Sequence, residues 1–102
     1  MLTANDITAL IFEAIDEFNA EQDESKRLEK SPETVIFGRG TVLDSLDVVN
    51  LIVTIEGKLA DEHETFLTLA NEKAMSRKVS PFRTVESLAA YVEELLREES
   101  NE

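Results

Sequence analysis

Over residues 3–22, apolar side chains recur at intervals of three and four. Ile7, Leu10, Ile11, Ala14, Ile15 and Phe18 fall on one helical face, while Glu13, Asp16, Glu17 and Glu21 fall opposite. This spacing predicts an amphipathic helix with its apolar stripe toward a core. Thr3 and Asp6 stand three apart, as in a capping box, and Asn5 is an alternative cap. Residues 45–60 carry a second, more apolar helical pattern with two stripes. Val48, Leu51, Ile52, Ile55 and Leu59 read as core, and Leu46, Val49 and Val53 form the other stripe. Asp47, Asn50, Thr54, Lys58 and Asp61 make a polar line between them. A third long helix is predicted over 84–98, capped by Thr84. Val85, Leu88, Val92, Leu95 and Leu96 face the core, Tyr91 lies at the stripe's edge, and 98–102 are expected to fray.

The segments between these helices read differently. Residues 23–43 form a connection longer than the ~12–15 residues usual in compact domains, so function or local structure is expected in it. Its start is highly polar, Ser31-Pro32-Glu33 is a turn signal, and Gly38 and Gly40 break any helix. Val35, Ile36 and Phe37 are the expected anchors of this loop to the core. In residues 61–83, Phe66-Leu67-Thr68-Leu69 reads as extended, and Asn71 is placed to cap a brief helix through Ala74 and Met75. Lys73, Arg77, Lys78 and Arg83 gather basic charge, and Ser80-Pro81-Phe82 ends whatever precedes it.

Where the long loop meets the second helix, Gly38-Arg39-Gly40-Thr41-Val42-Leu43 gives way to Asp44-Ser45-Leu46. Asp44 is a good N-cap, and Asp47 can reach back to complete a capping box. Ser45 then sits on the first turn, exposed, near free N–H groups and the positive end of the helix dipole, a setting suited to a phosphodiester. The run Asp44-Ser45-Leu46-Asp47-Val48-Val49-Asn50-Leu51-Ile52-Val53-Thr54-Ile55-Glu56 resembles the attachment site of acyl carrier proteins. Thr84-Val85, Leu88 and Tyr91-Val92 resemble that family's closing helix.

The resemblance implies that Ser45 carries 4′-phosphopantetheine, with Asp44 and Leu46 beside it, and that acyl groups ride on the cofactor's thiol as thioesters. It implies a partner-docking face next to the serine, here Asp47, Val49, Val53 and Glu56 together with Leu46. The implied partners are a phosphopantetheinyl transferase and acyl-loading and acyl-using enzymes with basic docking surfaces, in fatty-acid, lipid or polyketide-like biosynthesis. Pattern and resemblance together give an all-α fold. It is a small antiparallel four-helix bundle, three main helices and one short one, with a long first loop, in a single domain over 1–102.

Composition narrows the chemistry. The chain has 102 residues and a net charge of −12, from 22 acidic and 10 basic side chains. That balance disfavours nucleic acid, whose binding rests on phosphate neutralisation by Lys and Arg, and steers the chain toward basic protein surfaces. No apolar run approaches the ~20 residues of a membrane span. The first residues lack a signal peptide's basic start and apolar stretch, so a cytoplasmic monomer is the expectation. With no cysteine in the chain, any thiol must come from a cofactor. Asn50, and Gly57-Lys58 after Glu56, stand where fatty-acid carriers commonly have acidic residues. The docking face is thus less acidic than the whole chain, which favours a specialised carrier.

Other chemistries are weaker. The single histidine, His63, lies over four turns of helix beyond Ser45 at ~3.6 residues per turn. No Gly-x-Ser-x-Gly elbow is present, which argues against a hydrolase and against catalysis by the chain itself. Gly38-Arg39-Gly40 lacks the Gly-Lys-Ser/Thr of a phosphate loop. Asp61-Glu62-His63-Glu64 lacks EF-hand spacing and reads as solvated surface rather than a metal site. Two rivals stay open: an aminoacyl or peptidyl carrier of a nonribosomal pathway, and an acidic helical adaptor never modified at Ser45.

Overall fold

The computed structural model describes residues 2–69 and 80–100. Among them it is all-helical: α1 spans Ala4–Ala20, α2 Ser45–His63 and α3 Val85–Ser100, with a short 3-10 turn at Glu24–Lys26. The short helix expected between Asn71 and Met75 lies outside the described residues.

Each helix starts where its cap sits in the sequence. Thr3 accepts from the Asp6 N–H at 3.1 Å and the Asp6 carboxylate accepts from the Thr3 N–H at 3.0 Å, a complete capping box. Those contacts, the Thr3 N–H bond foremost, hold the Asp6 carboxyl below its usual range. α2 runs three residues further than its apolar pattern predicts. It stops at Glu64, whose φ of 51° turns the chain into the left-handed region, so that the Glu64 and Thr65 N–H groups both reach the Leu59 carbonyl.

The core is the one that the helical stripes outline. Ile7, Leu10, Ile11, Ala14, Ile15 and Phe18 of α1 pack with Val48, Leu51, Ile52, Ile55 and Leu59 of α2 and with Val85, Leu88 and Val92 of α3. α1 lies against both other helices. Fully burying one such aliphatic side chain stabilises by about 1.5–3 kcal/mol, so these stripes, rather than helix propensity, hold the fold. Lys58 ties α2 to α1 by an ion pair with Glu17 and reaches Glu62 at 3.5 Å. Its ammonium is held above the usual lysine range, Glu17 being the largest cause.

Two side chains depart from the sequence reading. Tyr91, expected at the stripe's edge, is buried; its hydroxyl donates to the Leu69 carbonyl at 3.0 Å and its ring meets Phe82 edge-on at 6.0 Å. Phe37, expected as a loop anchor, is largely exposed, whereas Ile36 is fully buried and Val35 partly so. Leu28 and Leu43 are buried as further anchors.

The long loop is ordered by its own polar contacts. Asn19 at the end of α1 exchanges two hydrogen bonds with the Leu28 backbone, each 2.8 Å. Further on, the Ile36 N–H donates to the Arg83 carbonyl at 2.7 Å, and Val35 and Thr84 form an isolated antiparallel bridge. Gly38 and Gly40 adopt φ of 97° and 95°, a region that side chains rarely tolerate. They turn the chain back toward α2, helped by the Thr41 N–H bond to the Gly38 carbonyl at 3.2 Å.

Candidate functional site

Ser45 is the first residue of α2, and it is exposed. Asp44 caps the helix, its carboxylate accepting from the Asp47 N–H at 2.8 Å. The Asp47 carboxylate accepts in turn from the Asp44 N–H at 3.2 Å, which completes the capping box expected from the sequence. The first α-helical bond runs from the Val48 N–H to the Asp44 carbonyl at 3.1 Å. Among the described residues no group bonds the Ser45 hydroxyl. The Asp47 N–H bond, as the largest cause, holds the Asp44 carboxyl below its ordinary range.

The apolar stripe beside Ser45 is open. Leu46 is 68% exposed, Val49 53% and Val53 58%, and Val42 in the preceding loop is also exposed. The loop does not cover them. With Ser45 they give the start of α2 a face on which an exposed hydroxyl adjoins a row of bare aliphatic side chains. Exposed apolar groups in such a row mark interaction surfaces.

The acidic residues assigned to that face divide. Asp44 remains exposed. Asp47 is only 8% exposed, because its carboxylate closes the capping box and meets Lys26 at 3.3 Å. Glu56 is half-buried and accepts from the Leu69 N–H at 2.7 Å, pinning the segment after α2. Both carboxylates thus make contacts within the molecule, and of the three acidic residues Asp44 is the one that stays exposed. Lys58, read as thinning the negative charge of that face, turns instead toward α1.

The residue that sequence reasoning missed is Lys26. It leaves the 3-10 turn and reaches the Asp47 carboxylate at 3.3 Å and the Asp44 carboxylate at 3.7 Å, so its ammonium straddles the capping box whose residues flank Ser45 in the chain. Its hydrogen bond to Asp47 is the largest of the contacts that raise it above the usual lysine range. No spacing in the sequence singles it out from Arg27 or Lys30.

Ser45 is not the only serine in a first turn. Ser87 lies in the first turn of α3, but its hydroxyl donates to the Pro81 carbonyl at 2.9 Å and accepts from the Thr84 N–H at 3.0 Å. It is bound on both sides, whereas Ser45 is open. His63, at the far end of α2, is exposed. Among the described residues no cluster of three or more metal-ligating side chains occurs, and no helix is long and apolar enough to cross a membrane.

The chain matches no protein-family model, no curated protein and no solved structure.

Proposed function

We propose that the chain is an acyl carrier protein, modified on Ser45 with 4′-phosphopantetheine and serving partner enzymes of fatty-acid, lipid or polyketide-like biosynthesis. The observation that carries this reading is the Ser45 hydroxyl itself: exposed, unbonded within the described residues, and set on the first turn of a capped helix. When bound, the cofactor supplies a thiol that holds acyl groups as thioesters, chemistry that the cysteine-free chain lacks.

The residues around Ser45 fit such a group. The N-terminus of α2 offers a phosphodiester the positive end of the helix dipole. Asp44 and Asp47 spend their charge on capping and on Lys26, which lessens their repulsion of a second anion. Leu46, Val49 and Val53 give a partner enzyme an apolar strip next to the tether. Attachment and transfer fall to separate enzymes; this chain's part is to present the hydroxyl, hold it clear of the core and dock.

The same open strip favours a second reading, an adaptor that docks through Leu46, Val49 and Val53 and is never modified. Co-expression with a broad-specificity phosphopantetheinyl transferase, read by intact mass, separates the two. A gain of one phosphopantetheine in the native chain, absent in Ser45→Ala, is the expected outcome. No gain with any transferase tried would leave the adaptor.

A further inference from the structure

We propose that Lys26 is a specificity-determining residue of the Ser45 face: it partly neutralises that face and so weakens the docking of basic partner surfaces. This rests on the carrier reading of Ser45. Ser45 is flanked in sequence by Asp44, whose side chain is 64% exposed, and by the capping box that Asp44 shares with Asp47. Any surface that reaches the Ser45 hydroxyl comes close to the Asp44 carboxylate. Lys26 arrives from the long first loop, far away in sequence, and places a cation against both carboxylates at 3.7 and 3.3 Å. With its own side chain 42% exposed, it presents positive charge to the same visitor.

Among the described residues the other two lysines, Lys58 and Lys30, are paired elsewhere. The net charge is −12, so long-range attraction brings basic surfaces to the chain in any case. Lys58 of α2 is turned to Glu17 and Glu62 and does not serve this face. Lys30, the neighbouring loop lysine, is spent on Asp16 of α1 at 3.2 Å. The Lys26–Asp44 pair is too exposed to add much to stability, while the Lys26–Asp47 pair, on a carboxylate only 11% exposed, also braces the loop. Beyond that bracing, Lys26 sets the local charge that an approaching enzyme meets.

The test compares native chain, Lys26→Gln, Lys26→Arg and Lys30→Gln, the last removing the same charge from a different place. Two readouts are taken at low salt. One is KM and kcat for modification by a broad-specificity phosphopantetheinyl transferase. The other is the Kd of a lysine decamer, followed by the backbone amide signals of residues 44–49. Lys26→Gln is expected to lower both KM and Kd about threefold, the effect of one unit charge at ~7 Å through water, with kcat unchanged. Lys26→Arg should match the native chain and Lys30→Gln should change little. The difference should vanish in ~1 M salt, where the Debye length is about 3 Å. A purely structural Lys26 would loosen the loop and leave KM and Kd level or higher, which overturns the proposal, as would a Lys30→Gln effect of equal size. If no chain is modified at all, the carrier reading falls, and the decamer Kd alone decides for or against the role of Lys26.

Discussion

The N-termini of α2 and α3 are built from the same parts and finished differently. Each begins with a side-chain cap and a residue three positions on that reaches back: Asp44 with Asp47, and Thr84 with Ser87. Each has a serine in its first turn. At α3 the long loop then closes over the end. The Val85 N–H donates to the Thr34 carbonyl at 3.1 Å and the Glu86 N–H to the Pro32 carbonyl at 2.9 Å, supplying partners for donors that a helix start leaves unpaired. At α2 no loop carbonyl among the described residues does this, and the same loop contributes only the Lys26 ammonium, at the carboxylates. One helix start is sealed for stability and the other is left available. Equal local signals in a sequence thus do not mean equal roles.

The contrast can be broken most strongly at Ser87. Its hydroxyl bonds both the Thr84 N–H and the Pro81 carbonyl, so Ser87→Ala strands two partners around the sealed end. A loss of about 1–3 kcal/mol is expected, measured by urea unfolding. Modification at Ser45 should be unaffected. Ser45→Ala, by contrast, should leave the unfolding midpoint unchanged, because nothing in the described fold bonds that hydroxyl. Equal destabilisation by the two alanines would erase the distinction.

A smaller effect is expected at the open end. Asp44→Ala removes the α2 cap and with it the acceptor of the Asp47 N–H. The thermal midpoint should fall by less than in Ser87→Ala, and Asp44→Asn, which keeps a capping oxygen, should recover most of it. A fall as large as that of Ser87→Ala would mean that the α2 start is as firmly integrated as the other.

The smallest effect is a matter of pH and concerns the two carboxylates that cap or brace helix starts, Asp6 and Asp44. Both are held below the ordinary value of 3.8 in the folded chain. A group depressed on folding contributes stability above its unfolded pKa and loses it as pH falls through the folded one. Stability should therefore decline below pH ~4 through these aspartates. Between neutrality and that point, protonation of other carboxylates relieves self-repulsion in a chain of net charge −12 and works the other way. Circular dichroism melts from pH 7 to 3 should reach a maximum before the acid decline. In Asp44→Asn the decline should be shallower.

Much of this was written in the chain. Three helices, their caps at Thr3, Asp44 and Thr84, and the helical stripes of the core follow from periodicity and from short-range capping chemistry, whereas Leu28, Leu43, Leu69, Phe82 and Tyr91 join the core without such a pattern. Both act over three or four residues, within reach of a linear reading. Exposure of Ser45, Leu46, Val49 and Val53 follows from the same geometry once the core stripe of α2 is fixed. Tertiary structure alone decided which polar groups distant in the chain meet. It brought Lys26 to Asp44 and Asp47, Tyr91 to the Leu69 carbonyl, Glu56 to the Leu69 N–H and the loop carbonyls to the start of α3. These partners lie 13 to 54 positions apart in the chain. A hydrogen bond or ion pair at such separations depends on where packed helices leave a loop, and no local pattern of side chains encodes that distance.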